Sequence, residues 1–470
     1  MARSSDSFAD AEARTHTSDE GALERGHRSG RWPGLSTPAG VFWLLFSINV
    51  VNFLDRLLAV AAGPTLKHEF HLTDRDIGLI ASAFLIVYTL AAVPMGLIAD
   101  RVARAKVVAA GVAVWSAMSA ATAVVRGFPG LFITRAGVGI GEASYFPAGY
   151  ALLSAYFPLE QRARAVGRWG AGQIVGTALA FAMSAAFLSW FGPHLGWRVA
   201  FLVAGLPGLG LAALMWYVRD APRPVTSSPS ESPPRIGAID WRAVADSLLP
   251  AVIARFRVVL SIRTVWIIIA LQALTYVVVT PTVTFLPIYL RSARSPFHLT
   301  DPQASLISGS LIVVGGLGGT LLGGPLADWL SRRIRGGRLL AIGVGYAAGL
   351  PCYLITLFTH ALPLFVIIGT LTVLTLNLQV GPLGAALQDA TPPHLRASTV
   401  AVAMLVAHLL GDAWASTAVG SISTALGERT VIGLAVIGAP ALLVAVIVAA
   451  LGAPTYADDV AARAKPADAE

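Results

Sequence analysis

The stretch Gly96–Lys106, GLIADRVARAK, and the stretch Gly324–Ile334, GPLADWLSRRI, share one frame: a Gly, an Asp four positions on, and an Arg four beyond that. In the first copy these are Gly96, Asp100 and Arg104, with Arg101 between; in the second they are Gly324, Asp328 and Arg332. The copies lie 228 positions apart, about half of the 470-residue chain. Each is a short basic loop joining two long apolar blocks, and each is preceded by an even number of such blocks. Repeats placed this way are parallel copies related by an axis along a membrane normal.

The rest of the composition agrees with that reading. The chain is 55% hydrophobic and 13% charged, with a mean hydropathy of +0.69, whereas a soluble domain carries about 25% charged residues. Crossing about 30 Å of hydrocarbon at 1.5 Å per residue takes about 20 apolar residues. Twelve blocks meet that need, over approximately 39–62, 76–99, 106–126, 129–157, 164–190, 198–218, 264–290, 303–327, 337–358, 362–388, 398–423 and 430–452. No period-two alternation rivals them, which excludes a β-barrel. The expected fold is an all-α polytopic membrane protein of twelve transmembrane helices in two pseudo-symmetric six-helix bundles.

The segments outside the blocks set the domain plan. Residues 1–36 are polar and lack the apolar run of a signal peptide, so they read as a disordered tail, and 454–470 as a second tail. The bundles span 37–219 and 263–453. Between them, 220–262 begins Pro/Ser-rich and flexible and ends in an amphipathic stretch, 239–260, suited to the membrane surface. With the N-terminus inside, 25 of the 34 Lys and Arg lie on one face, 7 on the other and 2 within spans. The positive-inside rule then places both termini in the cytoplasm of an inner or plasma membrane.

Several functions are excluded. The single cysteine, Cys352, forbids a disulfide framework. No phosphate-binding loop occurs, which disfavours an ATP-driven pump, and no metal-ligand spacing occurs. No nucleophile stands beside a base, so an enzyme is not expected, and neither is a cofactor or a nucleic-acid partner. Glycine-rich runs such as Gly315–Gly319 lie inside spans and read as close helix packing.

Few ionisable groups fall deep in the blocks: Asp55 and Arg56 in span one, Arg135 and Glu142 in span four, His408 and Asp412 in span eleven. A charge at the bilayer centre costs roughly 2.5–3.5 kcal/mol, so such groups face a cavity and carry function. At 100° per residue Asn49, Asn52, Asp55 and Arg56 share one helix face, as do Arg135 and Glu142. Two acids and two arginines therefore form a candidate cluster in the first bundle. Asp55 and Glu142 are the expected proton-coupling pair. Arg56 is the expected anion contact, and Arg135 the structural partner of Asp55. The second bundle offers Gln272, Tyr276, Asn377 and Gln379 beside His408 and Asp412.

The paired Gly–Asp–Arg loops resemble the signature of the major facilitator superfamily. That resemblance implies a gating latch, in which Asp100 and Asp328 with Gly96, Arg101, Arg104, Gly324 and Arg332 join the halves when the cavity opens outward. Three runs, NFLDR (Asn52–Arg56), RAGVGIGEASYFPAG (Arg135–Gly149) and HLLGD (His408–Asp412), together resemble the Spinster branch, as do GWRVAF (Gly196–Phe201) and QDATPPHLRA (Gln388–Ala397). After Asp412 the chain departs from that branch, running WASTAVGSIST. The resemblance implies a monomeric, proton-coupled secondary transporter for an amphiphilic, lysolipid-like or organic-anion substrate, in contact with membrane lipid. A hexuronate-like or aromatic anion importer, a drug exporter and a non-transporting receptor are the alternatives.

Overall fold

A computed structural model of the chain describes residues 33–99, 101–220, 257–392 and 395–464. The tail before residue 33, the linker over 221–256 with most of the amphipathic stretch, and Asp100 lie outside the described residues.

The described residues are almost wholly helical. Ten helices among them have the length and hydropathy to cross a membrane. One of the ten, Leu159–Trp216, is two passes joined at Gly192, whose backbone turns through φ 73°, ψ 173° before Pro193. A left-handed φ of that kind suits glycine, which carries no Cβ. The pair Phe128–Ala143 and Tyr145–Tyr156 forms a further crossing in two pieces. Counted so, the described residues accommodate the twelve expected spans. Span one is Pro38–Ala61, span two Asp74–Ala99, span three Arg104–Thr122, span seven Arg263–Arg291 and span eight Asp301–Ser331. Span nine is Gly337–Phe358, and span twelve lies in Thr430–Ala464.

Three spans are broken, and the sequence explains where. Proline clashes with the carbonyl four residues before it and donates no hydrogen bond. In span four Pro147 thus disrupts the turn at Ala143, where the first piece stops, one residue after Glu142. In span ten Pro382 acts likewise at Leu378, between Leu362–Asn377 and Val380–Asp389. Span eleven divides at Gly411 (φ −100°, ψ −93°) into Arg396–Leu410 and Asp412–Ala425. Each break lies beside a polar candidate, because a freed backbone turn needs polar company in an apolar layer.

The halves meet closely at the end opposite the signature loops. A Cβ on Gly78 would lie 2.3 Å from the Ser416 carbonyl oxygen, and one on Gly420 2.2 Å from that of Asp74. The outer piece of span eleven therefore lies backbone to backbone on span two. Spans five and eight meet at Gly309, whose Cβ would strike Phe181 at 2.5 Å. Ser82 and Thr417 share a hydrogen bond of 2.8 Å across the seam. At the signature-loop end the reverse holds. Among the described residues, nothing lies within 4 Å of where a Cβ would stand on Gly96, Gly167, Gly324 or Gly384. The molecule is sealed at one end and parted at the other.

Candidate functional site

Below the seal lies a chamber of about 330 Å³. Its wall is mainly apolar, with Leu57, Val60, Ile77, Phe84 and Leu131 from the first half and Val279, Val283 and Ile288 from the second. Four charged or titratable side chains reach it: Arg56, Arg135, His408 and Asp412.

Span one brings Arg56 to Glu142 of span four. The guanidinium donates to Glu142 Oε2 through Nη2 at 2.5 Å and Nε at 2.9 Å. Glu142 is fully buried, and its second oxygen, Oε1, has no hydrogen-bond partner among the described residues. Phe53, Phe84 and Tyr88 surround the Arg56 cation with ring centroids at 5.1, 5.2 and 5.1 Å. Aromatic faces stabilise a desolvated guanidinium by about 2 kcal/mol or more. The pair is thus a fork held in an aromatic collar.

The other two charges are arranged differently from the sequence-based pairing. Arg135 does not bridge to the Asp55 carboxylate. Its Nη2 donates to Thr122 Oγ1 at 2.8 Å, its Nη1 to the Asp55 main-chain carbonyl at 3.4 Å, and its Nε has no partner among the described residues. Asp55, fully buried, accepts from Ser119 Oγ at 2.9 Å through one oxygen, while the other has no such partner. The expectation of a free Arg56 and a paired Arg135 is corrected: Arg56 is held by Glu142, and Arg135 keeps its charge without a carboxylate. The cause is helix phase. Glu142, seven residues below Arg135, reaches the level of Arg56, whereas the Asp55 side chain turns toward span three.

In the second half His408 Nδ1 lies 3.0 and 3.1 Å from the two oxygens of Asp412, across the Gly411 break. Tyr276 stacks on the imidazole at 4.4 Å with planes 10° apart, and Gln272 donates to the Tyr276 hydroxyl at 2.9 Å. These residues form one connected polar group, of which His408 and Asp412 line the chamber with Arg56, while Tyr276 and Gln272 stand behind them outside its lining. Three other expected ligands are elsewhere. Asn49 donates to the Trp169 carbonyl at 2.8 Å and clamps span one to span five. Asn377 bonds back to Val373 and packs on Gly319, and neither it nor Gln379 lines the chamber. Asn52 is buried near Glu142 with its Nδ2 unpartnered among the described residues.

Several of the expected latch residues fall among the described residues. Asp328 and Arg332 are exposed, and Gly96 and Gly324 face open space. Asp220, at the end of span six, accepts instead from the backbone nitrogens of Arg104 and Ala105 at 2.6 and 3.2 Å, capping span three within its own half. Asp100 lies outside the described residues.

Sequence reasoning missed the polar lock in the seal. Lys67, on the short helix Gly63–Glu69, pairs with Asp74 and, at 2.5 Å, with Glu428 of the second half. Asp74 is fully buried and also accepts from Ser423 at 2.5 Å and Thr430 at 2.7 Å. Glu428, at φ 64°, accepts from the Asp74 backbone nitrogen at 3.2 Å. The GWRVAF run supports this lock. Trp197 Nε1 and Arg198 Nη2 donate to Glu69 at 2.7 and 2.8 Å, fixing the helix that carries Lys67. Lys67 and Glu428 are 361 positions apart, so no local pattern announces the pair.

Residues 45–416 match the Major Facilitator Superfamily. The chain is 28% identical over 311 residues to the probable L-galactonate transporter of Escherichia coli K12, covering 66% of this chain and 65% of that protein. It is 27% identical over 434 residues to Protein spinster homolog 1 of Xenopus tropicalis, covering 87% and 78%. Among solved structures it is similar to a bacterial homolog of the human lysosomal transporter Spinster in an inward-facing, unoccupied conformation. That likeness has a TM-score of 0.71 at 22% identity, over 90% of this chain and 97% of that one.

Proposed function

Because the chain belongs to the Major Facilitator Superfamily and is a multi-pass membrane transporter rather than an enzyme, we propose that it is a proton-coupled secondary transporter of an amphiphilic organic anion. The observation that carries this reading is the Arg56–Glu142 pair beside a mainly apolar chamber. The chamber suits a hydrocarbon portion. The cation suits an acidic head group, once it is released.

Release is the coupling step. A buried guanidinium held by a carboxylate has no charge to spare for a second anion, and separating the pair in an apolar site is costly. A proton on Glu142 removes that hold, and Arg56 becomes available while its aromatic collar keeps it in place. Substrate and proton thus favour the same state of the site. Asp55 is the second buried carboxylate, one residue from Arg56, and serves as the other proton site. Arg135 supplies a standing positive charge in the chamber wall. His408, oriented by Asp412 and Tyr276, faces the head group from the second half.

The positive-inside count places the signature loops in the cytoplasm. The parted end then faces inward, and the state described is inward-open. Alternating access requires the lock of Lys67, Asp74 and Glu428 to open as the signature loops close. Both termini are then cytoplasmic.

The test uses the full chain in proteoliposomes with an imposed pH gradient, offered a lysolipid, an alkyl-chain organic acid and L-galactonate in turn. The expected outcome is gradient-driven accumulation of an amphiphile. Glu142→Gln abolishes that accumulation yet retains counterflow of labelled substrate without a gradient. Accumulation of galactonate alone would replace the amphiphile with a sugar acid. A Glu142→Gln protein that still concentrates substrate would move the coupling elsewhere.

A further inference from the structure

Spans one and five touch tightly near mid-membrane and splay apart toward the signature-loop end. The tight contact is made by Gly172 and Gly176. A Cβ on Gly172 would lie 3.2 Å from the Phe46 carbonyl oxygen, and one on Gly176 2.3 Å from that of Val50. Toward the start of span five the same line of the helix carries Arg168, Ala165 and Gln161, one, two and three turns before Gly172, with Arg164 beside them. No glycine continues the close approach, so the helices diverge. They leave a crevice of about 390 Å³ lined by Phe42, Trp43, Phe157, Gln161, Arg164 and Arg168.

We propose that this crevice binds an anionic glycerophospholipid of the surrounding leaflet, with its phosphate between Arg164 and Arg168 and its upper acyl chain against Trp43 and Phe42. The lipid is a resident ligand, not the transported cargo. Three features select it. Arg164 and Arg168 are both exposed and stand one turn apart on one helix. That spacing allows both to reach one phosphate, and basic pockets between membrane helices recognise anionic head groups. Trp43 is 62% exposed, an exposure that suits a ring at the level of the head groups. At 100° per residue Trp43 is turned about 140° from Arg56 on span one, so it looks away from the central chamber and toward lipid. The crevice begins at Pro38, the first residue of span one, and reaches the first turns of span five, which places it at the membrane boundary. It lies wholly within the first half, so it persists whichever end of the transporter is open.

The test is collisional quenching of Trp43 by brominated lipid. The full-length protein is reconstituted with brominated phosphatidylglycerol or brominated phosphatidylcholine at equal fraction, and the signal of Trp43→Phe is subtracted. One Arg near an anionic surface contributes about 1 kcal/mol, or roughly fivefold, so the parent is expected to prefer the anionic lipid by up to about thirtyfold. The double variant Arg164→Gln/Arg168→Gln is expected to quench equally with both. Equal quenching in the parent overturns the proposal, even if the double variant fails to fold. A preference that survives in a folded double variant overturns it too. Displacement of the bound lipid by millimolar glycerol phosphate would assign the crevice to a free phosphate ester. Quenching that emerges only after deletion of residues 1–32 would assign it to the chain's own tail. Each of these last two results also overturns the lipid assignment.

Discussion

The two ends of this transporter use the same residue, glycine, for opposite purposes. At the sealed end Gly78, Gly420 and Gly309 already carry another chain segment where a side chain would be. At the signature-loop end Gly96, Gly167, Gly324 and Gly384 have no neighbour there among the described residues. The first set is in use and the second is waiting. The polar groups divide the same way, since the lock of Lys67, Asp74 and Glu428 is assembled while Asp328 and Arg332 are exposed. An alternating-access protein needs two gates of comparable strength, because a population can shift only by the difference in free energy between its states. The difference between the ends therefore reads as one gate seen closed and its counterpart seen open.

The sharpest way to break this comparison is to add bulk at each end. Gly78→Leu cannot be housed against the Ser416 carbonyl, and overpacking of this kind costs about 1–3 kcal/mol or more. It is expected to part the sealed end in most molecules. Gly324→Leu meets nothing in the state described, so it leaves that end as it is, yet it blocks closure at the signature loops and abolishes turnover. Spin-label distances between His194 and Arg294 at one end, and Glu160 and Arg333 at the other, check both outcomes. If Gly78→Leu left the first distance unchanged, the backbone seal would not be the gate.

A smaller effect is expected from the lock. Lys67→Met leaves the buried Asp74 carboxylate with only the hydroxyls of Ser423 and Thr430. Removing one partner of a buried pair costs about 3–5 kcal/mol, and less here because Lys67 is partly exposed. The expected shift toward the outward-open form is roughly tenfold, or about 1.4 kcal/mol, read from the same distances. Glu428→Gln keeps one acceptor oxygen for Lys67 and the Asp74 backbone nitrogen and loses the charge, so it is expected to shift the ratio less. Equal distance distributions in Lys67→Met and the parent would leave the seal to the glycines alone.

The smallest effect belongs to Asp328→Asn. The side chain is exposed in this state, and surface substitutions of that kind stay within about 0.5 kcal/mol. Thermal stability is expected to stay unchanged, whereas the turnover rate falls because the closed signature-loop state loses its latch. An unaltered rate would remove Asp328 from the gating set.

The sequence predicted the fold well for a plain reason. In hydrocarbon every backbone group must be satisfied within its own segment, so hydropathy blocks translate directly into helices and the repeated loops set their symmetry. Even the breaks in spans four and ten follow from Pro147 and Pro382, since the clash is local. The candidate site was legible as a cast of residues but not as a set of pairs. Asp55, Arg56, Arg135 and Glu142 stood out because charges in apolar blocks are few, yet which Arg meets which acid depends on how two helices are rotated against each other. Asn49 shares a helix face with Asp55 and Arg56, and Asn377 is a lone amide in an apolar span, and only the packing turned one to Trp169 and the other to Gly319.

What the amino-acid order determined alone is everything that a single helix and its own loop can express: the apolar spans, the repeated loops between them and the buried charges. What only the tertiary structure decided is everything that joins distant segments. This includes the Arg56–Glu142 fork, the stack of Tyr276 on His408, the state of the two ends and the lock between Lys67 and Glu428. Those contacts bridge segments far apart in the chain. A long-range contact leaves no periodic trace in either partner, because each residue answers to a neighbour that its own stretch of sequence does not contain.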